Sequence, residues 1–281
     1  MLSYLHSFHA GNFADVLKHM ICVHTLGYMT QKDKPIFYLD THSGAGAFQL
    51  DNSEAQKNRE YENGIGKLWS LNKAELPDSV QIYLDVVSDF NPGEDLTHYP
   101  GSPWFAEHLL RDHDRLSLFE LHPREYKTLC HNFKQNRRLH ISNSNGFQAC
   151  LSQLPPKEKR GFILMDPPYE VKDDYKLVVE SIVKAHKKFA TGTYALWYPV
   201  VERQRITQLE KAFIKSGISN IQLFELGLMP DNGARGMTSS GMLVINPPWT
   251  LYAAMEKALP FLAKTLAGNE GVYRIKQLVA E

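Results

Sequence analysis

The sequence predicts an α/β protein with a mostly parallel sheet, covered by helices on both faces and interrupted by one helical insertion. From residue 101 to residue 245, short apolar strands alternate with amphipathic helices. Such alternation is typical of parallel sheets built from helical crossovers. An earlier apolar strand, Ile36–Asp40, runs directly into the turn Ser43-Gly44-Ala45-Gly46. A strand that ends in a glycine-containing turn is typical of nucleotide-cofactor folds.

The composition is that of an ordinary globular domain. Of the 281 residues, 43% are hydrophobic and 22% are charged, and 31 basic side chains balance 31 acidic ones. We therefore expect one domain over residues 1–281 with a core of normal size. Because the net charge is zero, a nucleic-acid surface must come from local clusters of lysine and arginine.

The number of cysteines and the length of the apolar runs indicate the cellular compartment that is expected for the protein. The three cysteines form no CxxC pair, so we expect neither a zinc site nor a disulfide framework. Residues 1–12 are polar, and no apolar run reaches the length of about 20 residues that spans a bilayer. We expect a cytoplasmic monomer with no metal and no membrane partner.

The first helix is predicted to begin after Asn12, which can cap it, with Asp15 in its first turn. Apolar residues recur along one face at Phe13, Val16, Met20 and Val23. After the strand and its turn, residues 50–100 are polar and carry amphipathic runs at Tyr61–Trp69 and Ser79–Phe90. These runs predict a helical insertion subdomain over residues 50–100.

The next helix is predicted to begin at Gly101-Ser102-Pro103, with Ser102 as its cap and Pro103 in its first helical position. The strands predicted after it are Leu116–Leu121, His140–Asn143, Gly161–Met165, Tyr194–Tyr198, Ile221–Leu226 and Met242–Ile245. The helices predicted between them are Pro123–Gln135, Tyr175–Phe189 and Glu202–Lys215. In such a fold the carboxyl ends of the parallel strands meet at one edge, where ligands bind.

Two features at that edge indicate a cofactor site. Gly44 and Gly46 fit the first two glycines of GxGxxG, but Gln49 occupies the third position. The turn therefore does not support a dinucleotide dehydrogenase, and a purely structural turn is the alternative. Glu120 ends the second sheet strand, where a carboxylate can bind both hydroxyls of a ribose. An exposed glutamate at a strand end is the alternative for this residue.

The sequence Asp166-Pro167-Pro168-Tyr169 is the strongest indication of chemistry. It follows the apolar strand Gly161–Met165, and two consecutive prolines cannot continue a strand ladder. The loop presents a carboxylate, main-chain carbonyls and an aromatic ring together. Acceptors of this kind suit an adenine amino group, whose lone pair is otherwise delocalised into the ring. Tyr169 can stack on a base that has been taken out of its helix, and a structural loop is the alternative.

A motif of similar form, Asn246-Pro247-Pro248-Trp249, follows the strand Met242–Ile245. We rank it second because a return strand near the C-terminus would place it away from the cofactor. The N-terminal stretch with His6 and His9 is interpreted as a segment that covers a ligand. A zinc site there is excluded because His6 and His9 precede the helix on which His19 lies.

Taken together, these residues resemble the bacterial large-subunit ribosomal RNA adenine-N6 methyltransferase J family (RlmJ). The resemblance extends along the chain and is carried by the runs Met1–Tyr4, His6–Asn12, Ala14–His19, Leu39–His42, Tyr99–Pro103, Glu120–Pro123, Asp166–Tyr169, Thr191–Val200 and Gly241-Met242. It implies a class I S-adenosylmethionine-dependent methyltransferase fold that methylates the N6 amino group of an adenine in 23S ribosomal RNA.

The resemblance also implies roles for individual residues. Asp166 would be the catalytic acceptor, in one loop with Pro167 and Tyr169. By that likeness S-adenosylmethionine would contact His19, His42, Ser102, Glu120, Gly146 and Asp166. Gly44 of the glycine turn and Asn145 complete the predicted cofactor set. The expected substrate-binding set is Tyr4, His6, Lys18 and Tyr169. The family usually has Asp at position 145, and the Asn145 of this chain keeps a carbonyl acceptor for the cofactor's adenine but loses the charge.

Three alternatives stay open at this point. A DNA adenine-N6 methyltransferase is the nearest, because the same tetrapeptide serves both substrates. A protein that binds RNA without catalysis is disfavoured by the acceptor loop beside a cofactor turn, and methylation of a protein glutamine would normally use Asn in place of Asp166. For an RNA substrate, phosphate contacts are predicted from Lys18, Arg124, Lys134, Arg137 and Arg138.

Overall fold

The computed structural model describes residues 5–134, 136, 138–170, 173–231 and 236–281. These residues form the strands β1 (Phe37–Asp40), β2 (Ala47–Gln49), β3 (His98–Pro100), β4 (Arg115–Phe119), β5 (Leu139–Ser142), β6 (Gly161–Met165), β7 (Thr193–Val200), β8 (Ile221–Gly227), β9 (Ser239–Ile245) and β10 (Val272–Val279). They also form the helices α1 (Phe13–Thr30), α2 (Ala55–Asn58), α3 (Ile65–Trp69), α4 (Asp78–Phe90), α5 (Ser102–Leu109), α6 (Pro123–Asn132), α7 (Gly146–Gln153), α8 (Asp174–Lys188), α9 (Arg203–Lys215) and α10 (Leu251–Ala267). Short 3-10 helices lie at His6–Phe8, Glu60–Asn63, Lys73–Glu75 and Gly268–Glu270.

The central sheet has the strand order β10-β8-β9-β7-β6-β1-β4-β5. Neighbouring strands from β5 to β7 are parallel, which confirms the predicted mostly parallel sheet. Strand β9 is antiparallel to β7 and β8, and β10 is antiparallel to β8. The chain leaves β1 toward β4 on one side and later returns to β6 on the other. The crevice between the carboxyl ends of β1 and β6 is therefore the expected ligand position.

The core lies on both faces of this sheet because its central strands β1 and β6 are mostly apolar and are buried at every position. In β6, Phe162 and Leu164 pack into the layer that contains α1, α4 and α10. Ile163 and Met165 point the other way, into the layer of α7, α8 and α9. Burial on both faces explains why these strands are continuous apolar runs in the sequence and do not alternate with polar residues.

Helix α1 is buried along most of its length and positions two polar side chains at the crevice. The Asn12 side chain accepts hydrogen bonds from the backbone N–H groups of Ala14 (2.9 Å) and Asp15 (3.0 Å), so the predicted cap is confirmed. Because α1 packs against α4, α5 and β9, even Lys18 and His19 are only 4% and 1% exposed.

The predicted insertion contains α2, α3 and α4, with β2 paired antiparallel to β3 at its base. The division of residues 50–100 into a separate subdomain stays a prediction. One cap prediction is wrong: Ser102 is the first residue of α5, Gly101 precedes it, and the Ser102 side chain makes no cap. Its hydroxyl instead donates to the buried Asp40 carboxylate at 2.6 Å.

The helices α7 and α10 and the strands β2, β3 and β10 were not predicted individually. The rival motif lies at the opposite edge of the sheet, as expected, because β9 runs antiparallel to β7. There the Asn246 amide donates to the carbonyls of Ala190 and Gly192, both at 2.8 Å. Across the described parts of the chain, no helix combines the length and apolarity needed to cross a membrane.

Candidate active site

Two adjoining cavities open at the carboxyl edge of the sheet. A small cavity of about 310 Å³ lies among the turn after β1, the end of β4, the start of α7 and the loop after β6. A large cavity of about 680 Å³ lies among the start of α1, the insertion and α9. The residues that line both are His6, Lys18, Asp166, Pro168, Glu170 and Trp197. Asp166 therefore faces both spaces.

The structure brings the predicted cofactor set together around the small cavity. Its lining includes His19, His42, Gly44, Ser102, Glu120, Asn145, Gly146 and Asp166. These residues come from six separate segments of the chain, so their convergence follows from the strand order and not from sequence proximity. Their contact with a cofactor stays a prediction.

Glu120 forms one wall of the small cavity. One of its carboxylate oxygens accepts the Gly44 N–H at 2.8 Å, and the other accepts the His122 N–H at 2.7 Å. Burial raises the pKa of this carboxyl although these hydrogen bonds oppose the shift. Each oxygen keeps a lone pair, so the side chain can still accept hydrogen bonds from two ribose hydroxyls.

The end of β1 supports another part of the cavity wall. Buried Asp40 accepts hydrogen bonds from Ser102, from the Tyr38 hydroxyl at 3.0 Å and from the His42 N–H at 3.2 Å. Burial raises the pKa of Asp40 to about 6, and the Ser102 hydrogen bond opposes that shift. Burial also lowers the pKa of His42 to about 4, so His42 presents a neutral ring to the cavity at pH 7.

Helix α7 begins against the same crevice. A Cβ at Gly146 would lie 1.9 Å from the Thr41 carbonyl oxygen, so only glycine allows this approach. The Asn145 side-chain oxygen accepts the N–H groups of Phe147 (3.0 Å) and Gln148 (3.3 Å) and so caps α7. This use of the oxygen was not foreseen, and it competes with the predicted hydrogen bond to the adenine of the cofactor.

The lining of the small cavity fits S-adenosylmethionine. Two buried side-chain atoms that face it, His19 Nε2 and Glu125 Oε2, have no hydrogen-bond partner among the described residues. The lining carries one lysine, Lys18, against the five carboxyl groups of Glu120, Glu125, Asp166, Glu170 and Asp174. A cavity with this excess of acidic groups suits a cationic sulfonium, and the unpartnered atoms offer hydrogen bonds to its polar ends.

A chain of charged groups runs from the N-terminal segment to Asp166. His6 Nε2 donates to Asp15 at 2.8 Å, and the Lys18 ammonium lies 2.9 Å from the other Asp15 oxygen and 2.5 Å from Asp166 Oδ2. Burial alone would lower the pKa of Lys18, but the two carboxylates raise it above its ordinary value. Lys18 is therefore a permanent cation that holds Asp166 in place.

Tyr169 is fixed on the large-cavity side of the same loop. Its φ of 51° is in the left-handed region, which is uncommon for a residue with a side chain. Its hydroxyl donates to the Trp197 carbonyl at 2.8 Å, and its ring lies 4.6 Å from that of Tyr175. The ring orientation is thus set before any base arrives, and stacking on a base stays a prediction.

The structure disfavours the predicted phosphate contacts of two residues, and the contacts of the others stay a prediction. Lys18 is buried between carboxylates, so it cannot belong to a surface cluster, although it lines both cavities. The Arg138 guanidinium donates to the carbonyls of Leu110 and Arg111 and pairs with Glu107, which gives it a structural role. Arg124 and Lys134 are exposed. Arg137 and the substrate residue Tyr4 lie outside the described residues.

Several residues at the site were missed. Trp197 lines both cavities and donates from its indole N–H to Ser240 at 2.8 Å. The sequence pattern indicated only a helix-dipole role for Asp15 and only a helical position for Glu125. Spacing along the chain gave no signal for Trp197 and Glu125, and it did not reveal that Asp15 and Lys18, three residues apart on α1, form a buried pair that Asp166 joins. Among the described residues, no cluster of His, Cys, Asp and Glu could hold a metal ion.

We expect Glu120→Ala to weaken S-adenosylmethionine binding by about 1.5–3 kcal/mol, the cost of losing a hydrogen bond to a charged group. Glu120→Gln should cost less because its amide oxygen can still accept one of the backbone N–H groups. Isothermal titration calorimetry of the two variants measures both losses. Unchanged affinity in Glu120→Ala would remove this residue from the cofactor site.

Comparison with known proteins places the chain in a family. The protein-family model described as "Ribosomal RNA large subunit methyltransferase D, RlmJ" matches residues 33–279 of this chain. Ribosomal RNA large subunit methyltransferase J of Haemophilus influenzae is 50% identical over 267 residues, which cover 95% of this chain and 94% of that protein. The protein of the same name from Escherichia coli is 46% identical over 282 aligned residues and covers both chains completely.

Solved structures share the fold of this chain. A protein from Legionella pneumophila is 40% identical, covers 95% of this chain and 98% of its own, and superposes with a TM-score of 0.88. A probable spermidine synthase from Corynebacterium glutamicum, at 11% identity, covers 96% of this chain and 77% of its own with a TM-score of 0.52, and shares the fold alone. The expected class I methyltransferase fold is confirmed, and the chain belongs to the ribosomal RNA large subunit methyltransferase D (RlmJ) family.

Proposed function

We propose that this chain transfers the methyl group of S-adenosylmethionine to the N6 amino group of an adenine in large-subunit ribosomal RNA. The observation that carries the proposal is the position of Asp166, whose carboxylate lies where the small cavity meets the large one. The relatives named as large-subunit methyltransferases support the choice of RNA. A cofactor in the small cavity and a base in the large cavity would meet at this carboxylate.

The contacts around Asp166 support a separate role for each of its two carboxylate oxygens and for the backbone of its loop. Lys18 binds Oδ2, which leaves Oδ1 of the same carboxylate available to the substrate amino group. The Pro167 carbonyl offers a second acceptor in the same loop. With both amino hydrogens held, the nitrogen lone pair leaves conjugation with the ring and points at the small cavity. S-adenosylmethionine supplies an electrophilic methyl group there when it is bound.

The large cavity supports recognition of a base. Tyr169 and Trp197 both line it, and their rings lie 5.9 Å apart. Aromatic faces next to an acceptor loop fit a nucleotide that has left its helix or comes from a single strand. We place the protein in the cytoplasm, where bacterial ribosomal RNA is made, and we expect it to act as a monomer.

The substrate assignment predicts that methylation depends on RNA and on salt. We expect protein-free large-subunit ribosomal RNA to be methylated and an adenine-containing DNA duplex to be a far poorer substrate, with mass mapping of the modified base as the measurement. Assembled particles, tested in parallel, locate the stage of action. Equal methylation of DNA and ribosomal RNA would contradict the RNA assignment.

Affinity for RNA should also fall steeply with salt if exposed cations bind phosphates. The double variant Arg124→Ala/Lys134→Ala is expected to lower the slope of log affinity against log salt by roughly one for each phosphate-binding side chain that it removes. Lys257→Ala is the control, because Lys257 is exposed on α10, which lines neither cavity.

A further inference from the structure

The large cavity has more room than a single base needs. Its volume of about 680 Å³ is more than twice that of the small cavity, about 310 Å³, whose lining fits the whole of S-adenosylmethionine. An adenine base is much smaller than that cofactor. A nucleotide can therefore enter the large cavity together with its sugar and a neighbouring phosphate, and this phosphate needs a cation.

The acidic groups around the large cavity leave few places for a phosphate. Five carboxyl groups of the lining repel an anion. They belong to Asp15, Glu60, Asp166, Glu170 and Glu202. A phosphate of the RNA backbone can therefore lie only where a basic side chain offsets this repulsion.

Most basic groups of the lining are already paired with these carboxylates. Lys18 is 4% exposed and lies between Asp15 and Asp166. The rings of His6 and His9 lie 2.8 and 2.9 Å from carboxylate oxygens of Asp15 and Glu60. Among the described residues, the one further basic group of the lining is Arg205, which keeps 23% of its side chain exposed. Arg205 is therefore the cation that an incoming phosphate can reach.

Arg205 is oriented by Glu202, three residues earlier in the chain. Its Nε donates to one Glu202 carboxylate oxygen at 2.9 Å, and its Nη2 donates to the other at 3.2 Å. This pairing leaves the Nη1 N–H groups without a hydrogen-bond partner among the described residues. Because 57% of the Glu202 side chain is exposed, water screens the pair. The guanidinium can thus donate from Nη1 to a phosphate while Glu202 holds its other edge.

Tyr175 links Arg205 to the loop that carries Asp166. Its ring lies 4.6 Å from that of Tyr169, and its hydroxyl donates to the Pro199 carbonyl at 3.1 Å. Burial raises the pKa of Tyr175 to about 12, and the charge of Arg205 opposes that shift, because the guanidinium is close to the hydroxyl. The cation and the predicted base-stacking ring therefore lie next to the same tyrosine.

We propose that Arg205, oriented by Glu202, binds a backbone phosphate next to the target nucleotide and so sets how a single-stranded RNA segment enters the large cavity. The inference rests on the proposed function, because it takes the target base to lie in this cavity. Contacts to phosphates position a nucleic acid and carry no sequence information. Arg205 therefore determines which nucleotide of the strand reaches Asp166 by position and does not read its base.

The test compares RNA fragments that differ at one phosphate. Each fragment contains the adenine that mass mapping identifies, and a neutral methylphosphonate replaces either the phosphate that precedes this nucleotide or the one that follows it. In the parent protein, one of the two replacements is expected to lower kcat/KM by about tenfold, the low end for a hydrogen bond between charged groups. Arg205→Ala should lose about as much with the unmodified fragment, and the same replacement should cause no further loss.

Two further variants separate a lost contact from a disturbed fold. Lys211→Ala is the matched control, because it removes another cation of α9 that is exposed and lines neither cavity. It should keep both the parent kcat/KM and the parent sensitivity to the methylphosphonate. Arg205→Lys keeps the charge without the planar fork and should recover part of kcat/KM.

The outcomes distinguish this inference from the proposed function. An Arg205→Ala variant that stays as sensitive to the neutral linkage as the parent would overturn the inference, since a structural loss alone leaves the phosphate contact in place. A parent that methylates all three fragments equally well would also overturn it and leave the proposed function intact. A parent that methylates no RNA fragment would overturn the proposed function, and the inference with it.

Discussion

Replacing Asp166 with Ala is expected to lower single-turnover methylation of ribosomal RNA by at least about a hundredfold. The variant loses the side-chain acceptor for the amino group, and one preorganised hydrogen bond of this kind contributes on the order of a hundred- to a thousandfold in other enzymes. Misplacement of a reacting atom by about 1 Å adds a loss of similar size. Rapid-quench assays with saturating cofactor measure this rate.

The loss should not reflect unfolding. Pro167 and Pro168 fix the backbone of the loop, and the Tyr169 hydroxyl stays bound to the Trp197 carbonyl. Cofactor affinity should fall less than the rate, because the other residues around the small cavity remain. The control is Asn246→Ala, at the opposite edge of the sheet, which we expect to stay within about tenfold of the parent. An active Asp166→Ala beside an inactive Asn246→Ala would show that the catalytic loop has been misassigned.

Replacing Lys18 with Met is expected to destabilise the fold by about 3–5 kcal/mol at pH 7, the cost of removing one partner of a buried ion pair. Burial raises the pKa of Asp15, but His6 and Lys18 outweigh it and hold that pKa well below its ordinary value. The stabilisation from Asp15 is present above its unfolded pKa of about 4 and is lost as the pH falls through the lower folded value. The difference between parent and variant should therefore shrink as the pH falls below about 4.

Denaturant unfolding across this pH range measures the effect. The matched double variant Asp15→Asn/Lys18→Met should recover part of the stability, because one of the two unpaired carboxylates is gone. Its methylation should stay low, since Asp166 still lacks its cation. A single Lys18→Met variant that unfolds like the parent at pH 7 would contradict a buried ion pair at this position.

Local sequence patterns predicted the helices and strands whose formation depends mainly on residues within the same element. Neighbouring residues and side-chain periodicity were enough to predict the Asn12 cap, the apolar strand β6 and the helix α8. Strand β10 was missed because its residues are mostly half-buried or exposed at the sheet edge, so they leave no apolar run. The Ser102 cap was wrong because buried Asp40, 62 residues earlier, takes the hydroxyl.

The sequence was sufficient to predict which residues lie at the candidate site. It was less informative about the contacts that these residues make with one another. The loop at Asp166 and the strand end at Glu120 are visible in the sequence, because both follow apolar strands. The ion pair of Lys18 with Asp166 joins residues that are 148 positions apart in the sequence. A lysine on a helix normally indicates a helix face that is exposed to solvent. Only the three-dimensional fold reveals that α1 is buried there and that this lysine needs carboxylates around it.

The adjacency of Lys18 and His19 on α1 constrains how the chain can change in length. One side chain holds the acceptor loop and its neighbour faces the small cavity, so both depend on a single helical register. Deleting one residue between Asn12 and Lys18 would rotate the following side chains by about 100° about the helix axis and separate both from their partners. The exposed loop at residues 92–95 carries no such constraint. Insertions and deletions among relatives should therefore accumulate in loops of that kind and be absent from the first two turns of α1.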